Sequence, residues 1–387
     1  MFKILTLNNI SVSGLERLPR DRYEIASEIS HPDAILVRSF KMHGMAIPPS
    51  LKAVGRAGAG VNNIPVDDMS RRGIPVFNAP GANANAVKEL VLAGMLVASR
   101  NLCQAWAFAR DLEGDDAAIN KAVEAGKKQF GGFELPGRTL GVIGLGAIGV
   151  QVANAALALG MRVIGLDPQI TVHRAWQLSA SVEQAESVDA LLAKADFITC
   201  HVPLVDATRN LINADRMRLL RPGAVLLNFA RAGIIDDAAA LAALDAGQLY
   251  AYICDFPSNL LKDHPRVVTL PHLGASTREA EENCAVMVAD QLRDYLEEGS
   301  VRNSVNFPEV IMPRNGGYRL TVVNANVPNM LGQISTELAR AGLNIVDMLN
   351  KSRGELAYTV VDVQDPIPQP VVDQIAAIEG VLAVRTI

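Results

Sequence analysis

Short apolar runs alternate with helical patterns in the first part of the chain. Each run ends in turn or polar residues, and the runs are FKILTL, AILVRS, LKAVGRAG and IPVFNAP. This alternation is typical of βα units built around a parallel sheet. A long helix rich in alanine, leucine and valine is predicted next, over residues 83–102.

A second series of the same kind begins at Thr139 and runs through TLGVIGLG, RVIGLD, ADFITC, GAVLLNF, LYAYIC and RVVTL. Runs of this buried type predict a complete doubly wound sheet. The pattern of residues 278–298 then predicts a helix that returns to the first lobe, so that the first lobe is interrupted by the second domain.

A third pattern follows a segment flanked by prolines. Strand, helix, two strands, helix and strand are predicted in that order between YRLTVVNANV and VLAVRT. This is the order of a ferredoxin-like βαββαβ module. The module is too small for a catalytic body and suits a regulatory or assembly role.

Length and composition narrow the function classes. The 387 residues exceed one ordinary core and predict two or three domains. Charged residues make up 20% and the net charge is -5, so neither disorder nor a basic surface for nucleic acid is expected. The four cysteines lack CxxC spacing, which argues against a metal site or a disulfide framework. The first residues lack the features of a secretory leader, and no apolar stretch has the length of a membrane helix, so a cytoplasmic location without membrane contact is expected.

Gly144, Gly146 and Gly149 form GxGxxG directly after an apolar strand and at the start of an alanine-rich helix. The three glycines allow a tight turn, close approach of the backbone to a pyrophosphate, and close helix packing. Asp167, at the end of the next strand, is placed to bind the ribose hydroxyls of NAD and disfavours NADP. The pattern could also be a simple strand-to-helix turn, but the order of strand, helix, strand and acid favours dinucleotide binding.

Arg231 and His272 each follow a strand of buried type. The carboxyl ends of parallel strands line the ligand crevice in such folds, so both side chains could face one crevice. Taken alone, either residue would be interpreted as structural: the arginine could form an ion pair with a surface acid, and the histidine could pack in the core. Two such residues beside a dinucleotide motif favour a catalytic pair.

The motifs VGRAGAGVNNI, GLGAIG, HVPL, NFARAGIIDD and LPHLGAST occur in this order. In these motifs the chain resembles the D-2-hydroxyacid dehydrogenase family over essentially its whole length, and its last segment resembles an ACT domain, which narrows the resemblance to members acting on 3-phosphoglycerate. The resemblance implies α/β architecture: a flavodoxin-like substrate lobe interrupted by a Rossmann NAD-binding domain, plus a C-terminal ferredoxin-like βαββαβ (ACT) module. The implied boundaries are 1–96 for the first part of the substrate-binding lobe and 97–279 for the NAD-binding domain. The return helix to the lobe covers 280–307, a linker 308–317 and the ACT-like module 318–387.

The resemblance also implies roles for individual residues. His272 would take the hydroxyl proton of 3-phosphoglycerate during oxidation to 3-phosphohydroxypyruvate, and Arg231 would orient the carboxylate. The substrate phosphate would bind Arg38, Ser39 and Arg56. The positions that match NAD contacts are Gly144, Gly146, Ala147, Ile148, Gly149, Asp167, Val202, Phe229, Ala230, Asp255, Gly274, Ala275 and Ala59.

The chain departs from the family pattern beside the histidine. Relatives place there a glutamate that bonds to the catalytic histidine, whereas this chain has Asn259 or, depending on the gap, Leu260. An asparagine could orient the imidazole but supplies no charge that favours the imidazolium. Glu279 or Glu282 could take over the role, and the sequence leaves this open.

The ACT-like segment departs as well. Asn324, Asn326 and Asn344 occupy positions where relatives place polar groups that bind serine, but Asn329 stands at the usual glycine of the strand-to-helix turn. Inhibition by L-serine and a homo-oligomer are therefore expectations from the resemblance.

Two other functions remain open. One is a dehydrogenase of an unphosphorylated 2-hydroxy acid, which would share the NAD motifs and the pair of Arg231 and His272. The other is a non-catalytic scaffold that senses NAD, a reading that the missing glutamate supports.

Overall fold

The computed structural model describes residues 1–314 and 316–387. It divides into two compact units, one of Met1–Asn83 with Arg278–Ile387 and one of Ala84–Thr277. In chain order the first segment contains β1 (Phe2–Leu7), α1 (Val12–Leu15), β2 (Tyr23–Ala26), β3 (Ala34–Val37), β4 (Ala53–Arg56), α2 (Val66–Arg71) and β5 (Val76–Phe77).

These strands form a parallel sheet of order β2-β1-β3-β4-β5. This is the flavodoxin-like order, as predicted. The edge strand β2 has no counterpart in the sequence-based prediction, because only Tyr23 of its four residues is buried and the segment lacks a continuous apolar signal.

The second unit is a doubly wound α/β domain. Its elements are α3 (Ala84–Arg100), α4 (Leu102–Arg110), α5 (Asp116–Gly126), β6 (Thr139–Ile143), α6 (Ala147–Ala158), β7 (Arg162–Leu166), α7 (Val172–Gln177), β8 (Glu183–Gln184), α8 (Val188–Lys194), β9 (Phe197–Cys200), α9 (Ala214–Met217), β10 (Ala224–Asn228), α10 (Asp237–Asp245), β11 (Leu249–Cys254) and β12 (Val267–Thr269), with a 3-10 turn at Lys127–Phe130.

All seven strands of this unit are parallel, in the order β12-β11-β10-β9-β6-β7-β8. The strand order reverses between β6 and β9, as it does in Rossmann domains, and this confirms the predicted fold. Six of the seven strands correspond to apolar runs of the sequence; the seventh, β8, consists of two exposed polar residues, which give no apolar signal.

The unit begins at Ala84 because α3 packs against α6, β10 and β11. Apolar residues cover both faces of the sheet, as parallel strands require. The functional boundaries at residues 97 and 279 stay predictions.

The last segment contains α11 (Arg278–Glu298), β13 (Tyr318–Ala325), α12 (Met330–Arg340), β14 (Ile345–Arg353), β15 (Leu356–Val363), α13 (Gln369–Ala376) and β16 (Val381–Thr386). The four strands form an antiparallel sheet of order β14-β15-β13-β16. This is the topology of a ferredoxin-like βαββαβ module, as predicted. Helix α11 packs on the five-stranded sheet so closely that a Cβ at Gly55 would lie 2.4 Å from Cγ1 of Val288.

The sheet of the C-terminal module is covered on both faces. Helices α12 and α13 pack on one face. On the other face Tyr358 joins a core with Tyr295 of α11 and Phe307, and its hydroxyl donates to the carbonyl of Gly299 at 2.7 Å. The module therefore belongs to the same compact unit as the five-stranded sheet.

A buried ion pair joins β13 and β15 next to this core. Arg319 and Asp362 have side chains that are 1% and 2% exposed, and their two hydrogen bonds measure 2.6 and 2.7 Å. The guanidinium also donates to the carbonyls of Glu298 and Met312, at 2.8 and 3.0 Å. The buried charge is thus fully bonded, which is the condition under which such a pair is tolerated.

We expect Asp362→Ala to destabilise this unit by about 3–5 kcal/mol, because the variant leaves the Arg319 guanidinium buried without a counter-charge. Urea unfolding followed by circular dichroism measures the loss. The matched control is Glu337→Ala, which removes a pair with Arg340 whose arginine side chain is 71% exposed; it should cost at most about 1 kcal/mol. Equal losses in the two variants would contradict the role given to burial.

Candidate active site

The turn from β6 to α6 can be built only with glycine at two of its three motif positions. Gly144 has a φ of 94°, and a Cβ there would lie 2.7 Å from the carbonyl oxygen of His201. A Cβ at Gly149 would lie 1.9 Å from the carbonyl oxygen of Gly144. These contacts bring the start of α6 close to the end of β6, as the motif predicts.

Gly146 differs from the other two glycines because a Cβ there would meet no atom within 4 Å. It is the N-cap of α6, and no side chain caps the first turn, which Ala147 and Ile148 begin. The first-turn N–H groups thus have no side-chain cap, and there is room for a further atom beside Gly146. This arrangement fits the pyrophosphate of a dinucleotide.

Asp167 lies just after β7 beside this turn. Its carboxylate accepts hydrogen bonds from the backbone N–H of Leu145 at 2.8 Å and of Gln169 at 2.9 Å. The two bonds fix the carboxylate next to the glycine turn, and its binding of the ribose hydroxyls of NAD stays a prediction.

The residues after β9 border the same turn. A Cβ at Gly144 would lie 2.9 Å from Cγ1 of Val202. His201, in the motif HVPL, was not singled out in the sequence. Its Nε2 lies 3.0 Å from Oγ1 of Thr199, and its buried Nδ1 has no hydrogen-bond partner among the described residues. Burial lowers the pKa of His201 to about 4, so this imidazole is neutral at physiological pH.

The turn after β10 carries Arg231. Asn228, which is 1% exposed, donates from Nδ2 to the carbonyl of Arg231 at 2.9 Å and accepts from the N–H of Ala230 at 3.2 Å. The arginine side chain is exposed and donates to the carbonyl of Ala230 at 2.7 Å. Asn228 therefore shapes the turn, a role that its place at the end of an apolar strand did not signal.

The ring of Phe229 takes a different place from that of its neighbours. It is 5% exposed and lies in the core against α3, where a Cβ at Gly94 would come within 3.0 Å of its Cζ. Contacts of Phe229 and Ala230 with NAD stay predictions.

Asp255 holds the loop that carries His272. The carboxylate is fully buried, and its two oxygens accept the N–H groups of Leu273 and Gly274, each at 2.8 Å. The carbonyl of Asp255 also accepts the N–H of His272 at 3.1 Å. The Asp255 carboxylate therefore binds amides of the loop. The contacts of Asp255, Gly274 and Ala275 with NAD stay predictions.

The imidazole of His272 is exposed and lies against an aromatic ring. The centroids of the His272 and Phe256 rings are 5.1 Å apart at 64°, an edge-to-face arrangement. Asn259 lies exposed in the turn after Phe256, and no hydrogen bond from it to His272 is present in the described part of the chain. A role of Asn259 in orienting the imidazole therefore stays a prediction.

The other two acids that the sequence left open have a different partner. Glu279 and Glu282 lie 3.6 and 3.7 Å from the guanidinium of Arg278, within the first turns of α11. The pair with Glu282 has the i, i+4 spacing of a helix-surface ion pair, whereas Glu279 is the direct chain neighbour of Arg278.

The strand register places these groups at one edge of the seven-stranded sheet. Ile143, the last residue of β6, pairs with Cys200, Cys200 with Asn228, and Asn228 with Cys254. Cys254 pairs with Thr269, the last residue of β12, and His272 follows that strand, as Arg231 follows β10 and the glycine turn follows β6. The predicted cofactor and catalytic residues of this unit therefore converge on the carboxyl edge, where ligands of open α/β sheets bind.

Arg38 and Arg56 are neighbours in the other unit, because Val37 pairs with Arg56 in the register of β3 and β4. Nε of Arg56 donates to the carbonyl of Arg38 at 3.1 Å. Nη2 of Arg38 lies 2.5 Å from Oε1 of Glu281, which lowers the pKa of that carboxyl and raises the pKa of Arg38. The sequence did not single out Glu281, since the pairing joins positions far apart in the chain.

Two further predicted residues of this unit have backbone-directed contacts. The N–H of Ser39 donates to Oδ1 of Asn8 at 3.1 Å, and the carbonyl of Ala59 accepts from Nδ2 of Asn78 at 2.6 Å. Both lie in the turns after β3 and β4. Their substrate and cofactor contacts stay predictions.

The three asparagines of the C-terminal module do not share one place in the chain's own fold. Asn324 pairs with Ala357 at the start of β15, and Asn326 donates to the carbonyl of Gly354 at 3.1 Å. Asn344, whose carbonyl accepts the N–H of Gln364, lies at the far end of β15. Asn329 adopts a φ of 67° at the N-cap of α12, the conformation for which a glycine would be usual.

Residues 1–314 and 316–387 contain no group of three or more histidine, cysteine, aspartate or glutamate side chains arranged to hold a metal ion. Within the same residues no single helix is long and apolar enough to cross a membrane; α3 and α4 reach that length and composition only as a pair bent by 65°.

The chain is similar to known dehydrogenases. A family model described as D-isomer specific 2-hydroxyacid dehydrogenase, NAD binding domain, matches residues 92–274. The chain is 38% identical to the D-3-phosphoglycerate dehydrogenase of Methanocaldococcus jannaschii, over 88% of this chain and 63% of that protein. It is 34% identical to the D-3-phosphoglycerate dehydrogenase of Haemophilus influenzae, over 88% of this chain and 82% of that protein. The chain thus spans less than two thirds of the archaeal relative.

Solved structures share the fold. The NAD+-bound 3-phosphoglycerate dehydrogenase of Entamoeba histolytica has a TM-score of 0.61 and 25% identity, covering 79% of this chain and 98% of its own. The D-mandelate dehydrogenase of Rhodotorula graminis has a TM-score of 0.67 and 22% identity over 81% and 99%, which shows a common fold alone.

An added methyl group should have different effects at the two glycines at the start of α6, Gly149 and Gly146. Gly149→Ala should lower stability by about 1–3 kcal/mol, since its Cβ would overlap the carbonyl of Gly144. Gly146→Ala should keep the melting temperature and weaken NADH binding about tenfold, because its Cβ would fill the space in front of the helix terminus. Thermal unfolding and NADH fluorescence titration distinguish the two. An unchanged NADH affinity in Gly146→Ala would argue against pyrophosphate binding at this turn.

Proposed function

We propose the function of this chain from its family, since the chain belongs to the D-isomer-specific 2-hydroxyacid dehydrogenases and is similar to D-3-phosphoglycerate dehydrogenases over most of its length. The proposed reaction is the NAD-dependent oxidation of 3-phospho-D-glycerate to 3-phosphohydroxypyruvate, the first step of L-serine biosynthesis. The observation that carries the proposal is the convergence of the glycine turn, Arg231 and His272 on one edge of the seven-stranded sheet.

His272 is the proposed general base. Its exposed imidazole can accept the proton of the C2 hydroxyl as the alcohol becomes a ketone. When bound, NAD supplies the acceptor for the C2 hydride. The proton and the hydride together account for the two electrons and two hydrogens that the substrate loses.

Arg231 is the proposed ligand of the substrate carboxylate. Its side chain is exposed, and among the described residues it forms no ion pair with an acid, so its charge is available to an anion. A guanidinium can bind a carboxylate through two parallel hydrogen bonds and stabilise the negative charge that develops on the C2 oxygen.

Arg38, Arg56 and Ser39 are the proposed phosphate ligands. The register of β3 and β4 sets the two arginines side by side, and a dianionic phosphate prefers such a pair. Glu281 holds one side of the Arg38 guanidinium, so the phosphate would bind the donors that this carboxylate leaves open.

The same ion pair favours a second candidate function. Because Glu281 neutralises part of the charge on Arg38, the site also suits an unphosphorylated D-2-hydroxy acid. A non-catalytic scaffold that senses NAD is a third reading, which rests on the absence of a carboxylate at Asn259.

The remaining proposals concern partners and location. Inhibition by L-serine at the C-terminal module, a homo-oligomer, a cytoplasmic location and the absence of nucleic-acid or membrane partners follow from the family resemblance and composition. Asn324 supports the first of these, since its buried Oδ1 has no partner among the described residues.

The activity test compares wild-type protein with His272→Gln. Wild type should form NADH from NAD and 3-phosphoglycerate, and the variant should lose about 10²- to 10⁴-fold in kcat because it lacks the base. NADH affinity, measured by fluorescence, should change less than about twofold, since binding energy resides at the glycine turn. A wild-type protein that binds NADH but oxidises no 2-hydroxy acid would favour the scaffold.

The substrate class is tested within the same assay. Arg38→Gln should raise KM for 3-phosphoglycerate about 10- to 100-fold and leave KM for D-glycerate unchanged. Arg20→Gln, at an exposed arginine of the same unit, is the control. Equal effects of Arg38→Gln on both substrates would favour the unphosphorylated acid.

A further inference from the structure

The ring of His272 has one aromatic neighbour and no carboxylate in the described part of the chain. The ring of Phe256 lies edge-to-face against it, with centroids 5.1 Å apart at 64°. Phe256 is half-buried, whereas His272 is exposed, so the phenyl ring forms the protein wall on which the imidazole rests.

Backbone contacts fix both rings to the same residue. Phe256 directly follows Asp255, whose carbonyl accepts the N–H of His272 at 3.1 Å and whose carboxylate accepts the next two amides of the loop. His272 itself has a φ of 58°, in the left-handed region that a non-glycine residue rarely occupies. Such a conformation persists only where surrounding contacts over-determine it, and here Asp255 supplies those contacts.

The backbone clamp leaves the side chain of His272 free to rotate about its own bonds. An edge-to-face aromatic contact favours one ring orientation by about 2- to 10-fold in population. No hydrogen bond to the imidazole from Asn259 competes with this contact among the described residues, so the phenyl ring is the group that selects the orientation.

We propose that Phe256 is the positioning residue of the catalytic imidazole in this chain. The inference rests on the proposed role of His272 as general base. A phenyl ring orients the imidazole by shape and by its quadrupole, without fixing a proton on either nitrogen. The ring therefore acts on the geometry of proton transfer and not on substrate or cofactor binding.

The kinetic test uses Phe256→Leu, Phe256→Tyr and the control Phe108→Leu. Phe108 belongs to an aromatic pair of the same unit, with its centroid 5.2 Å from that of Phe130. The substrate is whichever 2-hydroxy acid the wild type oxidises. Phe256→Leu should lower kcat about tenfold with KM and NADH affinity within about twofold of wild type, and Phe256→Tyr should restore kcat because it keeps the ring. Phe108→Leu should leave kcat unchanged.

The spectroscopic test needs no turnover. In protein labelled at histidine, the Cε1–H resonance of His272, assigned with His272→Gln, carries a ring-current shift from Phe256. The resonance should move in Phe256→Leu and return in Phe256→Tyr. An unmoved resonance, an unchanged kcat in Phe256→Leu, or equal loss in the leucine and tyrosine variants would each overturn the proposal.

The two tests also separate this inference from the proposed function. If the wild-type protein has no activity on 3-phosphoglycerate, the proposed substrate is wrong. The shift of the His272 resonance in Phe256→Leu still tests the contact between the two rings. A moved resonance with unchanged kcat would retain the contact and reject its role in positioning.

Discussion

The geometry of the candidate active site depends on one buried carboxylate. Asp255 lies at the end of β11 with no exposed surface, and an unbonded charge in that position would be strongly destabilising. The two amides that bond to it belong to the loop after β12, so folding the loop onto β11 satisfies the charge. Charge-assisted bonds of this length are stronger than neutral ones, and they hold His272 in a backbone conformation that it would not adopt alone.

The parallel seven-stranded sheet brings the loop of His272 to the same edge as the other candidate site residues of its unit. The turns that follow the parallel strands all lie at this edge. Residues far apart in the chain, such as Gly144 and Arg231, therefore lie on the same side of the sheet. Close approach at Gly149 sets the start of α6 against β6. In the other unit, Arg319 joins the C-terminal module to α11, the helix that also carries Glu281. One helix thus contacts both the module and the arginine proposed to bind phosphate.

The sequence predicts the fold and the glycine turn well because both are local signals. Parallel strands are continuous apolar runs, and Gly144, Gly146 and Gly149 meet steric demands within a few residues of each other. β2 and β8 escaped the prediction because they are short edge strands with exposed residues. Side-chain partners were not predictable in the same way: Arg38 with Glu281, and Asp255 with the loop amides, join positions far apart in the chain.

The surroundings of the proposed catalytic residues show the same difference between local signals and distant contacts. His272 and Arg231 are recognisable from motif and position, whereas the neighbour of the imidazole is not. The sequence directs attention to Asn259, at the place of the family glutamate, but the structure places Phe256 against the ring. Asn228 and His201 also emerged only from their contacts, since an asparagine or histidine at the end of an apolar run carries no distinctive pattern.

Because both oxygens of the Asp255 carboxylate bind loop amides, we expect Asp255 to act through the loop, and its predicted contact with NAD is the alternative. Single-turnover hydride transfer and NADH affinity, measured together for Asp255→Asn, test it most directly. The amide side chain keeps the shape but loses one acceptor, so the rate should fall about 10- to 100-fold while the Kd for NADH stays within about twofold. A Kd that rises by a similar factor with an unchanged rate would contradict the account and assign Asp255 to the cofactor.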